Sequence, residues 1–378
     1  MPGNLNPKAV IHERASDSNI DGIGFCDSAP LEDVRAGIAE AIRRGYIPTD
    51  IAPTQATVAR FTTPTRHLRG ARSVVSAYQT YNTTESGEPH REDPLVGTIA
   101  RYTTSNYYED LRTRLRGLAA DVEKEFGCRT KAFSCYVTLA EKPLARKAGL
   151  GFYGKHGIIV TPSHGSLVVL GEILTDLDIE PDKPLDMDCG ACTRCMEACP
   201  TGALRAPYVI DRNLCIQAHC GRRTVVPLAL RGLWGNRLYG CTDCQDVCPY
   251  NKRAAATTRT VAHGHVGASV SLSEVLLIGD AEFSRRFGGN QIGMRERNVI
   301  RRNAIIAAGN SRSLFFDEAL SACARDDDPI VRQHALWAVW RIKGEAARHT
   351  LSDALSREAE PAIADEIKSL LDGIVGEG

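Results

Sequence analysis

Eight of the thirteen cysteines in this chain of 378 residues are arranged as metal-ligating runs. Cys189-x2-Cys192-x2-Cys195-x3-Cys199-Pro200 is the bacterial ferredoxin run. In that run, thiolates two residues apart wrap one iron–sulfur cubane, and the cysteine before proline ligates the other cluster of a two-cluster protein. Cys241-x2-Cys244-x3-Cys248-Pro249 is a shortened second copy, and Cys215 between the runs brings the ligands to eight. The crossing rule assigns Cys189, Cys192, Cys195 and Cys248 to one 4Fe–4S cluster, and Cys199, Cys215, Cys241 and Cys244 to the other. Two zinc sites fit worse, because they pair Cys-x2-Cys units with histidines or with another such pair. Cys220 is surplus to the count and reads as a structural thiol. Cys26, Cys128, Cys135 and Cys323 are scattered.

Two clusters make an electron wire, and the rest of the chain must supply its terminus. Charged residues balance at 46 basic and 46 acidic, which argues against coating nucleic acid by bulk charge. An odd cysteine count, with no apolar leader between Met1 and Arg14, argues against a secreted disulfide framework. No apolar run approaches the ~20 residues of a membrane span. The expectation is a soluble, cytoplasmic chain of two or three domains. Strand-like runs at Ile20–Phe25, Ser73–Tyr78 and Phe133–Val137 alternate with helical patterns at Leu31–Arg44, Tyr107–Phe126 and up to Lys147. Ile158–Thr161 and Ser166–Leu170 flank a Pro-Ser-His-Gly turn and read as a hairpin, so the spacing predicts an α/β domain with a mixed sheet. Pro181–Pro184 reads as a connector. The last hundred residues are helical, and Asn298–Ala308 and Pro329–Ile342 look like second halves of HEAT-type repeats. No Gly-x-Gly-x-x-Gly follows a strand, so no Rossmann nicotinamide or flavin site is indicated. The Asp-x-His-x-x-Gly signature of His-ligated cobalamin is also missing.

Several longer motifs carry a resemblance. Ala71-Arg72-Ser73-Val74, Ala100-Arg101-Tyr102, Lys147 through Lys155, Leu170-Gly171-Glu172-Ile173-Leu174-Thr175-Asp176 and Gly235 through Cys241 resemble the epoxyqueuosine reductase family, as do the eight cysteines. So do Arg302-Asn303-Ala304 through Ser311 and His334 through Ala338. The resemblance implies a nitroreductase-like α/β domain at 1–180 that binds base-off cobalamin and substrate. It also implies a ferredoxin-like double-cluster domain at 181–255 and HEAT-like repeats at 256–378. It implies that the clusters feed cobalt, which reduces epoxyqueuosine in tRNA to queuosine by two electrons and two protons. Arg101, Tyr102, Gly154, Lys155 and Gly171 are the implied cobalamin contacts. The implied partners are tRNA and an external low-potential donor such as flavodoxin or ferredoxin, with the chain a monomer.

Two positions depart from the family pattern. The family's Gly-Arg-Asp-Tyr-His is replaced by Thr104-Ser105-Asn106-Tyr107-Tyr108, so a carboxylate becomes Asn106. The family's Val-Asp-Thr-x-Pro, whose Asp is the expected proton donor, aligns with Cys135 and Tyr136, while Glu141 still matches a family Glu. A thiol, with a free pKa near ~8.5, can donate a proton and can also ligate cobalt. Cys135, Tyr136 and Asn106 are therefore the candidate catalytic residues, against the plainer reading of Cys135 as a small buried side chain. Three alternatives stay open. One is a diverged reductase of another substrate that uses Cys135 in place of the acid. The others are a non-catalytic electron carrier or corrinoid activator, and a tRNA-binding scaffold with structural clusters.

Overall fold

The computed structural model describes residues 6–84, 90–134 and 138–373. The chain divides into two compact units. The first gathers Met1–Glu85, Tyr107–Asn213 and Asp243–Val261; the second gathers Ser86–Asn106, Leu214–Thr242 and Ala262–Gly378.

A four-stranded sheet organises the first unit, in the order Gly22–Asp27, Ser73–Thr80, Val168–Thr175, Thr130–Ser134. All three pairings are antiparallel, which corrects the expected mixed sheet. The two central strands are buried at every position, as strands covered on both faces must be. One cover is the Tyr107–Phe126 helix, which buries Leu111, Leu115, Leu118 and Val122 at the spacing read from sequence. The Glu141–Lys147 helix packs Leu144 and Ala145 into the core of the opposite face.

The expected hairpin does not form as a pair of neighbouring strands. Ile159–Val160 pairs with Phe152–Tyr153, whereas Val168–Thr175 enters the large sheet between Ser73–Thr80 and Thr130–Ser134. Only Thr161 and Gly165 close the intervening turn. Burial decides this outcome, since an eight-residue apolar strand gains more at the sheet centre than beside a two-residue partner.

Glu172 sits in the middle of that central strand, beside Ser76 in the register, and is fully buried. Neither of its carboxylate oxygens nor Ser76 Oγ has a hydrogen-bond partner among the described residues. Burial, and secondarily the charge of Glu141, raises Glu172 well above its ordinary value of 4.5, so the folded chain holds it neutral. An unfolded chain ionises the same group at its ordinary value. The contribution of neutral Glu172 is therefore complete below that value and is lost as pH rises toward the folded one. We predict that Glu172→Gln gains stability over the wild type between about pH 5 and about pH 8. Melting curves at the two pH values check this; parallel curves would contradict it.

The second unit holds a three-stranded sheet in which Val96–Ile99 pairs in parallel with Arg237–Tyr239 and antiparallel with Ser269–Ser271. Helices Arg297–Asn310 and Pro329–Lys343 contain the two expected segments, and Asp317–Cys323, Arg348–Arg357 and Pro361–Leu371 accompany them. Asp328 caps the second of these by accepting the Ile330 N–H at 2.9 Å, with Pro329 at the first helical position. No helix among the described residues is long and apolar enough to cross a membrane.

Candidate iron–sulfur centre

Four thiols of the first unit surround one cavity. Cys189, Cys192, Cys195 and Cys248 line it together with His156 and Tyr250. This is the set that the crossing rule assigned, and it includes a cysteine from the second run. Two polar side chains hold that second run in place. Gln245 donates from Nε2 to Ser166 O at 2.8 Å and to Tyr81 Oη at 3.0 Å, and its own carbonyl accepts from Asn251 Nδ2 at 2.8 Å. The Cys248 N–H then donates to the Gln245 carbonyl at 3.0 Å. Lys155 ties down the other run by donating Nζ to Gly190 O at 2.7 Å.

The donor set fits a cluster better than a single ion. Among the described residues no three His, Cys, Asp or Glu side chains converge on one metal position. Zinc–sulfur bonds of about 2.3 Å would draw four sulfurs to within roughly 4 Å of each other. A cubane gives each thiolate its own iron and needs the thiols spread round a cavity. The described cysteines form no disulfide. Burial raises Cys189 and Cys195, and the charge of neighbouring thiols adds to it, so ionising the set calls for compensating positive charge.

His156 is 2 % exposed on the wall of this cavity. Its Nδ1 accepts the Ile158 N–H at 3.2 Å, and its buried Nε2 has no partner among the described residues. Burial, with Lys142 nearby, pushes this imidazole down to about 4, so it is neutral at physiological pH.

The other four cysteines expected as ligands are described unit by unit. Cys199 and Cys244 belong to the first, with Cys199 Sγ 3.7 Å from Thr201 Oγ1. Cys215 and Cys241 belong to the second. There the Cys241 N–H donates to Gln217 Oε1 at 2.9 Å, and Gln217 Nε2 donates to Tyr102 Oη at 2.8 Å. Asn303 Nδ2 donates to the carbonyls of Cys220 and Leu238, both at 2.9 Å. Arg302, fully buried, donates to those of His219, Arg222 and Thr224. These bonds fix the segments that carry Cys215 and Cys241. Cys220 is fully buried, and burial pushes its thiol up to about 12, which suits the structural role expected of it.

The residues expected to touch cobalamin also have contacts within the protein. A Cβ at Gly171 would stand 2.5 Å from Leu115 Cδ1 and 2.8 Å from the Phe133 carbonyl oxygen. Gly171 is therefore where the sheet meets its covering helix. A Cβ at Gly154 would stand 2.5 Å from the His156 ring, so this glycine makes room for the imidazole. Lys155 and Tyr102 are engaged by Gly190 and Gln217, and the Arg101 carbonyl accepts from Thr104 Oγ1 at 3.1 Å. Asn106 is likewise bonded within the protein. Its Nδ2 donates to Gly289 O at 2.8 Å, its Oδ1 accepts from Gln291, and its N–H donates to His263 O at 2.9 Å. An aspartate there would set a carboxylate against the Gly289 carbonyl. Asn106 thus tethers a loop and is no proton source. Cys135 and Tyr136 lie outside the described residues.

A larger and more open hollow is lined, among the described residues, by Ala56, Thr57, Arg60 and Arg66, none of them a thiol, carboxylate or imidazole. Chemistry, and not size, marks the cysteine cavity as the centre.

Comparison with known proteins agrees with the centre. Residues 188–251 match the 4Fe-4S double cluster binding domain. The chain is 30% identical over 366 residues to an epoxyqueuosine reductase of Bacillus subtilis (strain 168), covering 96% of this chain and 94% of that one. It is likewise 30% identical over 367 residues to one of Staphylococcus aureus, covering 96% of each. A crystal structure of epoxyqueuosine reductase with an epoxyqueuosine-modified tRNA-Tyr stem loop superposes with a TM-score of 0.88 at 30% identity, over 97% of this chain and 98% of that one. A structure of the enzyme from Streptococcus thermophilus gives 0.87 at 25% identity, over 98% and 100%. With this identity sustained along nearly the whole length of its relatives, the chain belongs to the epoxyqueuosine reductase family.

Proposed function

We propose that this chain is an iron–sulfur reductase that converts epoxyqueuosine in tRNA to queuosine. The observation that carries the reading is its colinearity with enzymes of that name over 96% of its length. The reaction removes the epoxide oxygen as water: two electrons and two protons enter, two C–O bonds break and one alkene forms. Both electrons come from outside, from a low-potential donor of the flavodoxin or ferredoxin class. They pass through two 4Fe–4S clusters, one on Cys189, Cys192, Cys195 and Cys248 and the other on Cys199, Cys215, Cys241 and Cys244. Base-off cobalamin as the acceptor of those electrons rests on the resemblance, with no contact residue assigned to it.

The same reading divides the chain into a nitroreductase-like domain at 1–180, a double-cluster domain at 181–255 and HEAT-like repeats at 256–378 that help to hold tRNA. It takes the protein to be a cytoplasmic monomer. Proton supply is where it diverges from its relatives. Because the Asn106 amide is committed to Gly289 and Gln291, the proton donor falls to Cys135, with Tyr136 beside it. This commitment favours a second reading, in which the chain reduces a related but different substrate.

Anaerobic turnover with an epoxyqueuosine-modified tRNA stem loop tests both readings. Queuosine formation, at a rate that Cys135→Ser lowers by at least about tenfold, is the expected outcome for a donor acting in the transition state. Full activity of that variant would return Cys135 to packing. A cluster-loaded protein that binds the stem loop and leaves the epoxide intact would favour the different substrate.

A further inference from the structure

The His156 ring lines the cysteine cavity, and one of its nitrogens has no bonding partner among the described residues. Nδ1 accepts the Ile158 N–H at 3.2 Å, and an accepting ring nitrogen carries a lone pair. The proton of the neutral ring is therefore on Nε2, the tautomer being set by its neighbour. That Nε2 is buried and unpartnered among the described residues. The ring itself is 2 % exposed and lines the cavity shared by Cys189, Cys192, Cys195 and Cys248. Gly154 fixes how close the ring comes, because a Cβ there would stand 2.9 Å from Nε2. Leaving an N–H buried with no acceptor is costly, so the position calls for an acceptor inside the cavity. Arg194, the charged side chain on the same wall, is a donor and cannot serve.

We propose that His156 donates its Nε2–H to a sulfur atom of the 4Fe–4S cluster held by Cys189, Cys192, Cys195 and Cys248, and thereby raises that cluster's reduction potential. Reduction adds negative charge to the cluster, and a hydrogen bond to sulfur stabilises the more negative state more strongly. His156 acts through the cluster and is a positioning and tuning residue for electron transfer. The inference rests on the two-cluster reading of the cysteines.

Full-length protein reconstituted to about eight iron atoms per chain is the material for the test. Redox titration followed by electron paramagnetic resonance reads the potential of each cluster. In His156→Leu, the reduced-to-oxidised ratio of the first cluster at a fixed potential is expected to fall about tenfold, equal to 59 mV for a one-electron couple. His156→Gln keeps an amide N–H donor and should recover most of the difference. Wild-type protein carrying 15N-labelled histidine gives a reading that needs no variant: the reduced first cluster should show hyperfine coupling to an imidazole nitrogen. An unchanged potential in an iron-replete His156→Leu variant, or no 15N coupling in the wild type, would overturn the proposal. If His156→Leu loses iron, the wild-type 15N coupling alone decides. Wild-type protein that reconstitutes to only about four iron atoms would instead remove the two-cluster reading on which the proposal stands.

Discussion

Cys248→Ala is expected to lower the iron content of the reconstituted protein from about eight atoms to about four per chain. The lost cluster should be the one that Cys189, Cys192 and Cys195 hold, although Cys248 belongs to the other run in sequence. Its thiol lines their cavity, and its backbone is anchored there through Gln245 and Asn251. The cost is large because a cubane with three of its four thiolates leaves one iron without a protein ligand. A paramagnetic spectrum of the variant should retain the signal of one reduced cluster. Retention of about eight iron atoms, or loss of the cluster assigned to Cys199, Cys215, Cys241 and Cys244, would break the crossed assignment.

Glu366→Ala is expected to destabilise the second unit by about 3–5 kcal/mol. Arg231 is fully buried, and Glu366 pairs with it in a bidentate bridge at 2.6 and 3.0 Å. Gln333 adds a bond to the same carboxylate at 2.6 Å, and the guanidinium lies over the Trp337 ring at 5.7 Å from its centroid. Burial alone already lowers the Arg231 pKa, and Glu366 is the group that offsets this. Removing the carboxylate leaves an uncompensated cation in the core, which is far more damaging than losing an exposed pair. Lys368→Ala is the control: its bridge to Asp365 is more than half exposed on both sides and contributes about 1 kcal/mol or less. Denaturant unfolding separates the two, as a shift of the midpoint with unchanged slope. Equal effects of the two substitutions would contradict the burial argument.

The double-cluster segment was legible because its cysteine runs are local in sequence. Runs of Cys-x2-Cys ending in Cys-Pro state their chemistry without any knowledge of the fold, and the crossing of Cys248 follows from the same rule. The Tyr107–Phe126 helix was legible for a similar reason, its apolar stripe being a property of the segment itself. What the sequence hid depends on distant partners. The run at Ser166–Leu170 reads as half of a hairpin, yet its strand continues to Thr175 and finds its neighbours at Ser73–Thr80 and Thr130–Ser134. Gln245, Asn251 and His156 are ordinary residues in sequence. They matter because Ser166, Tyr81 and the cysteine cavity are folded against them. Gly154 and Gly171 sit in motifs shared with the family and were read as cofactor contacts. Their close packing against His156 and Leu115 depends on the fold and is not visible in those motifs. Asn106 illustrates the same limit: the exchange of an acid for an amide was visible, but the Gly289 carbonyl that requires an N–H donor was not.

The central claim is that electrons stored on two clusters of this chain reduce an epoxide on tRNA. It is tested most directly by a single-turnover experiment. Protein loaded with iron, sulfide and cobalamin is reduced, freed of excess reductant and mixed with an epoxyqueuosine-modified stem loop. Mass spectrometry then follows the modified base while the visible spectrum follows the clusters. The account predicts loss of one oxygen from the base, with queuosine appearing as the clusters reoxidise in step. Clusters that stay reduced beside an unchanged base, or that reoxidise without forming queuosine, would contradict it.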